Sequence, residues 1–291
     1  MGRKGDFALP VAAAALAVLY GASFLPGLGG RYVERPSETA VLNRKYAASV
    51  SRVMLEQADG RLVLSKDAEA GVWRGSDGTS EFPADAERMA RFLERLQAVR
   101  TWCRVADGPG AAAEFGLSEE ERFTLSYWTD GDAGAPASLF IGASDFSKTM
   151  RFVQAGGDAA VYRMEVDFDG FLHTEPRYWY DPYLVPRNLF SPASGTIARI
   201  SVAADGRTFS VLDAPRLSEL RHGALCPSLP EGGAVLSLAV EVAAGGTVFL
   251  AVHPHPSGDF AVSCRAAPDW NYAVFISSWT YGKLREILGI Q

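Results

Sequence analysis

The feature that most constrains this chain is an uncharged, apolar run near its start. Residues 7–28 read FALPVAAAALAVLYGASFLPGL, in which Tyr20 and Ser23 are the main polar interruptions. A helix that spans the hydrocarbon core of a bilayer needs roughly 20 predominantly apolar residues. The run follows Arg3 and Lys4, and a basic flank before an apolar segment is typical of a signal peptide or a signal anchor.

The length of this run favours a retained anchor over a cleaved signal. The apolar region of a cleaved signal is about 7–15 residues long, although small residues at positions 21–23 and 27–30 leave cleavage open. The basic flank predicts a cytoplasmic tip at residues 1–6. We therefore expect a single-pass protein of the inner (cytoplasmic) membrane whose bulk is periplasmic or otherwise extracytoplasmic. The predicted membrane-contacting side chains include Phe7, Leu16, Leu19, Phe24 and Leu25.

The remainder of the chain has the composition of a folded protein. Of the 291 residues, 48% are hydrophobic and 21% are charged, a balance typical of globular domains. The net charge of −6 opposes nucleic-acid binding, which needs cationic side chains against phosphates. Cys103, Cys226 and Cys264 are too widely spaced for a CxxC site. We expect buried thiols, with one disulfide as the alternative.

The apolar pattern predicts an α+β fold of mostly antiparallel sheets covered by helices. Residues 29–52 are predicted to form a stalk between the anchor and the folded body. A hairpin is predicted at residues 53–64, because an Asp-Gly pair at positions 59 and 60 separates two alternating runs.

The strongest helix signal covers residues 82–99. Apolar side chains recur there on one helical face, and Pro83 and Asp85 suit a first turn. Ser277 and Ser278 are expected to cap the last helix. Strands are predicted between these helices at residues 101–105, 122–128, 137–142, 150–153 and 160–163.

The second half of the chain repeats the first. Three short segments recur in the same order, and the last match continues far enough to place Trp279 opposite Val166. The matched segments are residues 59–61 with 205–207, 139–142 with 248–251, and 160–162 with 273–275. We therefore predict two related modules, at residues 53–175 and 196–291. An aromatic and proline-rich connector at residues 176–195 joins them.

A set of short stretches occurs in an order that is found in one known family. The stretches are Gly71-Val72-Trp73, Phe82-Pro83-Ala84-Asp85, Glu114-Phe115-Gly116-Leu117, Leu139-Phe140-Ile141-Gly142, and Trp179-Tyr180-Asp181 with Leu184 and Pro186. In this order they resemble the DUF4340 family of membrane-tethered extracytoplasmic proteins. That family is similar to accessory components of gliding-type ABC transport systems.

The resemblance implies a non-enzymatic accessory or scaffold protein with no cofactor. The implied partners are an ABC permease and an ATPase, besides the membrane itself. The chain contains no GxxxxGK[ST] loop, which is the motif that cradles ATP phosphates. An ATPase would therefore have to be a separate protein.

The aromatic part of the connector is the best candidate for a partner- or ligand-binding surface. Arg177, Tyr178, Trp179, Tyr180 and Asp181 are consecutive, and aromatics with arginine anchor many interfaces and sugar-binding surfaces. In the competing interpretation, these side chains fill the boundary between the two modules. An envelope module that binds a glycan or a peptide is the alternative function, and it needs an accessible Trp179.

Residues with catalytic or metal-binding potential are sparse. His253, His255 and Asp259 would suit zinc in a metal-dependent hydrolase, a remote alternative to an exposed turn stiffened by proline. Asp167 and Asp169 hint at calcium, but the 12-residue loop of an EF-hand is absent, and we expect solvated carboxylates on a helix face instead. The chain has no GxSxG or SxxK motif. We expect no catalytic residues and no metal site.

Overall fold

The computed structural model describes residues 36–68, 71–108, 110–129, 134–187, 197–204, 207–211, 215–242, 246–266 and 270–290. The predicted tip, the predicted anchor and the start of the predicted stalk lie outside these residues. None of the helices within them has the length and apolar character needed to cross a membrane. The chain from Glu38 onward forms one compact unit.

The first sheet contains ten strands within the described residues, and its pairing is mostly antiparallel. Its strands are β1 (Ser37–Ala40), β2 (Arg52–Gln57), β3 (Gly60–Lys66), β4 (Trp73–Ser76), β5 (Glu81–Pro83), β6 (Val99–Asp107), β7 (Phe123–Trp128), β8 (Ala137–Ser144), β9 (Arg151–Ala155) and β10 (Ala160–Met164). They lie in the order β1-β6-β10-β9-β8-β7-β2-β3-β4-β5.

The second sheet has six strands in the described part of the chain, in the order β12-β11-β13-β14-β15-β16. These strands are β11 (Ile197–Ala204), β12 (Arg207–Val211), β13 (Leu236–Val242), β14 (Thr247–Pro254), β15 (Phe260–Ala266) and β16 (Trp270–Ile276). The α-helices are α1 (Ala86–Leu96), α2 (Ala111–Glu114), α3 (Pro176–Trp179) and α4 (Ser278–Leu288). Short 3₁₀ helices lie at Arg44–Ser49, Asp169–Phe171 and Pro215–Glu219.

The two sheets share a strand order, which supports the predicted repeat. Six strands of the first sheet follow the order β10-β9-β8-β7-β2-β3, and the second sheet follows β16-β15-β14-β13-β11-β12. In each, a four-strand meander pairs antiparallel with the first strand of a hairpin. Two of the sequence matches fall in equivalent strands, β8 with β14 and β10 with β16. The third includes residues 205–206, which lie outside the described residues, although Ala204 pairs with Arg207 across them.

Each sheet has its own core, and one helix contributes to each. Met89, Phe92 and Leu96 of α1 are fully buried in the first core, because their spacing places them on one helical face. Leu284 and Leu288 of α4 fill the second core in the same way. As predicted, Ser277 caps α4, and its hydroxyl accepts a hydrogen bond from the Thr280 amide at 3.1 Å. The repeated modules therefore bury their sheets by the same means.

Helix α1 is shorter at both ends than the sequence predicts. It begins at Ala86 because Asp85 is the N-cap, with its carboxylate accepting a hydrogen bond from the Arg88 amide at 3.0 Å. Pro83 lies instead in β5, the last strand of the sheet. Proline is tolerated there because its nitrogen, which carries no hydrogen, is not needed for pairing with β4, where the Ala84 amide donates to the Trp73 carbonyl at 2.9 Å. Val99 starts β6 and is 63% exposed.

The hairpin turn and the stalk also differ from the predictions. Gln57 pairs with Gly60, so the two-residue loop lies one position earlier than the Asp-Gly pair. The stalk prediction is wrong for residues 38–52, since Leu42 and Val50 are buried in the first core. Only exposed or half-buried residues lie between these two, so the segment lacks the recurring apolar positions by which a buried helix or strand is recognised.

The three thiols are free, so the disulfide alternative is wrong for this structure. Cys226 and Cys264 are buried as expected, whereas Cys103 is only half-buried. Burial raises the pKa of the Cys264 thiol to about 12. The sulfur therefore behaves as a small apolar group.

Candidate functional site

The predicted connector passes from one core to the other. We call residues 173–187 the seam segment. Trp179 is fully buried in the first core, whereas Leu184 and Val185 belong to the second. The change from one core to the other takes place across Asp181, whose side chain is also buried.

Backbone hydrogen bonds join the seam segment to the end of the first sheet. The Asp85 amide donates to the Trp179 carbonyl and the Asp181 amide donates to the Pro83 carbonyl, both at 2.8 Å. Ala84 and Tyr180 form an antiparallel bridge between these two bonds. The seam segment therefore extends the first sheet beyond β5.

The same segment is joined to the second sheet through residues 220–226. The Leu184 amide donates to the Leu220 carbonyl at 2.8 Å. Further along, the Gly223 amide donates to the Phe275 carbonyl of β16 at 2.7 Å. A continuous series of backbone contacts thus runs from β5 to β16, which makes the seam segment a structural link between the sheets.

Asp181 organises the centre of this link. Its carboxylate accepts hydrogen bonds from the backbone amides of Tyr183 and Arg187, each at 3.0 Å. Its carbonyl oxygen lies 2.7 Å from Nε2 of His222. Burial raises the pKa of the Asp181 carboxyl to about 6, and the nearby charge of Asp85 acts in the same direction. Burial lowers the pKa of His222, so both groups are biased towards their neutral forms.

The aromatic side chains of the connector mostly serve this link. The Trp179 ring meets Phe92 edge-on at 5.4 Å, and its Nε1 donates to the His173 carbonyl at 2.8 Å. The Tyr180 hydroxyl donates to the Gly223 carbonyl at 2.6 Å. These side chains are therefore directed into the protein, and they satisfy backbone groups there.

The remaining candidate residues lie nearer the surface. Arg177 is exposed and forms an ion pair with Glu175 at 2.9 Å. The half-buried Tyr178 donates from its hydroxyl to the Gly170 carbonyl at 2.5 Å, with the Arg88 guanidinium 4.7 Å from its ring.

The structure thus separates the five candidate residues. The prediction of a binding surface is wrong for Trp179 and Asp181, which fill the boundary between the modules. An accessible Trp179, which the glycan- or peptide-binding hypothesis requires, is absent from this structure. The composition of the stretch did not reveal its orientation, because its packing partners come from distant parts of the chain.

The histidine cluster forms a turn at the end of β14. Nδ1 of His255 lies 2.8 Å from the Ser257 hydroxyl, and the His255 amide donates to the Asp259 carbonyl at 3.0 Å. His253 is half-buried on the strand itself. Among the described residues, no group of three or more His, Cys, Asp or Glu side chains is arranged to hold a metal ion.

The two aspartates that hinted at calcium are engaged with arginines. Asp167 accepts a hydrogen bond from Nε of Arg100 at 2.9 Å and pairs with Arg95 at 3.3 Å. Asp169 pairs with Arg151 at 2.8 Å. Both aspartates are nevertheless exposed, as the interpretation as solvated carboxylates predicts. Their ion pairs connect the segment after β10 to α1, β6 and β9.

A groove that the sequence analysis missed lies between α4 and the 3₁₀ helix Pro215–Glu219. It encloses about 380 Å³, and its walls include Trp279 and Ile287 on one side and Leu220 on the other. Trp279 is 70% exposed, which is unusual for so large an apolar side chain. The sequence repeat pairs Trp279 with Val166, which is buried, so the repeat alone would have predicted a buried side chain at this position.

Comparisons with known proteins identify the family of this chain. No curated protein and no solved structure matches the chain significantly. The family model described as domain of unknown function DUF4340 matches residues 75–220. This range starts in β4, includes the seam segment and ends after the 3₁₀ helix Pro215–Glu219, so it covers half of the chain and both sides of the link. The chain therefore belongs to the DUF4340 family.

Proposed function

We propose that this protein is a non-enzymatic, membrane-anchored accessory or scaffold component of a membrane complex of the ABC transport type. In this role, residues 7–28 hold the folded body at the extracytoplasmic face of the inner membrane. The observation that carries the proposal is this helix-length apolar run in a member of a family that resembles such accessory components.

The form of the folded body supports a scaffold role. The seam segment connects the two sheets through backbone hydrogen bonds on both of its sides, so a contact made on one sheet can be held at a fixed distance from a contact made on the other. The absence of an ATP-binding loop from the sequence assigns ATP hydrolysis to a partner. A permease and an ATPase are therefore the expected partners.

Membrane attachment is tested by placing charge in the apolar run. We expect the full chain to remain in the membrane pellet after carbonate extraction, with its body accessible to protease added to spheroplasts. The double variant Leu16→Arg/Leu19→Arg should lose membrane insertion, because an arginine at the centre of a membrane helix costs about 2.5–3.5 kcal/mol. The matched control places the same charges on the exposed surface, in the variant Thr149→Arg/Ser257→Arg. Extraction of the unaltered chain by carbonate would contradict the proposal.

The partner assignment is tested by crosslinking in intact cells. A tagged full-length chain is crosslinked with a cleavable reagent, purified in detergent and examined by mass spectrometry. The expected result is enrichment of an ABC permease and an ATPase over a control in which an unrelated anchored protein carries the same tag. Recovery of the chain alone from crosslinked membranes would contradict a role in a complex.

A further inference from the structure

We infer that the groove between α4 and the 3₁₀ helix Pro215–Glu219 binds an acidic segment of a partner protein, which inserts an apolar side chain beside Trp279. This inference rests on the proposed function, because it assigns the surface by which a scaffold would contact its complex. The partner is defined only by its chemistry: carboxylates on the outside and one apolar or aromatic side chain at the centre.

The apolar part of the groove is formed by both of its walls. Trp279 and Ile287 lie eight positions apart in α4, which places them on the same helical face about two turns apart. Leu220 contributes from the opposite wall. Tryptophan is enriched among the residues that dominate binding energy, especially where it lies beside an apolar pocket. Such a wall can accept one large apolar side chain.

Comparison within the chain singles out Trp279. The two modules share their strand order, and the sequence repeat pairs Trp279 with Val166. Val166 is 8% exposed, whereas Trp279 is 70% exposed. Packing of the module therefore needs only a modest apolar group at this position. The larger, exposed tryptophan of the second module is therefore available to contact another molecule.

The charge of the groove is opposite to that of the protein. Its walls carry three cations, Arg216, Arg221 and Lys283, against two carboxylates, Glu219 and Glu286. The net charge of the whole chain is −6. Lys283 forms an ion pair with Glu286 at 2.7 Å. This contact is the main cause of the lowered pKa of Glu286, and the charge of Arg216 also contributes. A local excess of positive charge on an acidic protein favours an acidic partner.

One wall of the groove is held in place by the seam segment. The Arg221 guanidinium lies 5.1 Å from the ring of Tyr183, and its NH2 group lies 3.3 Å from the Tyr183 hydroxyl. Arg187 lies 3.5 Å from the same ring and donates to the Ser218 carbonyl at 3.2 Å. Side chains that are already ordered lose less entropy on binding. The seam segment therefore prepares a cationic wall for an acidic ligand.

Site-specific photocrosslinking tests the assignment in cells. Trp279 is replaced by p-benzoylphenylalanine in the full chain, which keeps an aromatic group in the groove. The matched control carries the same residue at Phe146, an aromatic side chain in the β8–β9 turn that is 95% exposed. We expect irradiation to give an adduct at position 279 whose partner peptide is acidic and contains an apolar residue at the crosslink. The control at position 146 should not give this adduct.

Charge reversal supplies the second readout. Arg216→Glu should reduce the yield of the adduct about fivefold to tenfold, because it replaces attraction by repulsion at the edge of the groove. Arg216→Lys should preserve the yield, and Arg177→Glu controls for a change of surface charge outside the groove. The thermal unfolding midpoints of the variants are measured to confirm that they fold. Equal yields from the Arg216→Glu variant and the unaltered groove would overturn the inference.

The identity of the adduct separates the possible outcomes. A crosslink to a second copy of this chain, a crosslink to lipid, a partner peptide without carboxylates, or no adduct at all would each overturn the inference. If chemical crosslinking recovers the permease and the ATPase while position 279 gives no adduct, only the groove assignment fails. If both experiments recover the chain alone, the proposed function fails as well.

Discussion

At the scale of single residues, Asp181 is the most consequential buried group in the link between the sheets. Its carboxylate accepts hydrogen bonds from two backbone amides. The nearby charged groups that act on its pKa are Asp85 and Arg187. His222 and Tyr272 also face it. Its pKa is raised from 3.8 to about 6, so the folded protein holds this proton more tightly than the unfolded chain does. Protonation of Asp181 therefore favours the folded state.

This shift predicts a loss of stability as the pH rises. The contribution of Asp181 is complete below about pH 3.8 and disappears as the pH rises through about 6; a shift of this size corresponds to about 3 kcal/mol at most. Urea unfolding is measured from pH 4 to pH 8 for the protein and for Asp181→Asn, which cannot titrate. The stability of the protein relative to the variant should fall by up to about 3 kcal/mol over this range. Parallel curves of stability against pH for the two proteins would contradict the prediction. The titration of His222 occurs in both proteins, so its effect largely cancels in the difference between their stabilities.

The ion pair of Arg100 and Asp167 gives a second prediction at this scale. The Arg100 side chain is 5% exposed, and it also donates to the carbonyls of Ala98 and Arg95, at 2.7 and 2.5 Å. Asp167→Ala leaves a buried guanidinium short of an acceptor, so we expect a loss of about 1–3 kcal/mol in the free energy of unfolding. In the control Asp169→Ala, the loss should be below about 1 kcal/mol, because that pair is more exposed. Equal losses in the two variants, measured by urea unfolding, would show that burial does not matter here.

At the scale of elements, close backbone approach explains one of the glycines. Gly142 ends the apolar part of β8, and a Cβ atom added there would lie 2.3 Å from the carbonyl oxygen of Phe115. The Ala143 amide donates to that same carbonyl at 2.9 Å. This hydrogen bond fixes the turn that follows α2 against the sheet. The space available at Gly142 is therefore set by the backbone, which cannot move aside as a side chain could.

Two alanine substitutions should therefore have opposite effects on stability. Gly142→Ala should lower the free energy of unfolding by about 2 kcal/mol or more, because the added methyl group overlaps a backbone oxygen. Gly282→Ala should raise it by about 0.5–1 kcal/mol, because this glycine lies inside α4 with open space around its Cβ position. Both values come from urea unfolding monitored by circular dichroism. A stable Gly142→Ala protein would contradict the close approach.

The elements differ in how well the sequence predicts them. The strands of the first meander were placed within two residues at each end, because alternating apolar residues report directly on a sheet with one buried face. The order of the strands in the sheet could not be predicted from local patterns. Strand β1 was not predicted at all, because its residues are only exposed or half-buried and form no apolar pattern. The first end of α1 was misplaced because Asp85 suits a cap as well as a first turn.

The candidate site was only partly predictable for a related reason. The composition of the stretch after Pro176 marks it as unusually aromatic, but the burial of Trp179 depends on Phe92, which belongs to another element. The groove was missed because Trp279 and Arg216 come from separate segments that only the fold brings together. Local patterns report the face on which a residue lies, and they do not report which distant residues it meets.

At the scale of the whole molecule, the seam segment couples two cores that would otherwise resemble separate modules. Its side chains enter both cores, and its backbone joins β5 to residues 220–226 and, through them, to β16. Domains that share only a small polar interface move independently by default. Here the contacts include buried apolar side chains and backbone hydrogen bonds, so we expect both sheets to unfold in one cooperative transition.

Native-state hydrogen exchange tests this cooperativity with the variant Trp179→Ala. Removing a fully buried tryptophan from the first core should cost about 3–5 kcal/mol. If the sheets unfold together, the free energy of exchange should fall by the same amount for core amides of β7 in the first sheet and of β14 in the second. The control Trp279→Ala removes an exposed ring and should leave both sets of amides unchanged. A loss confined to the first sheet would show that the seam segment tethers two independent modules, and the cooperative scaffold would then have to be abandoned.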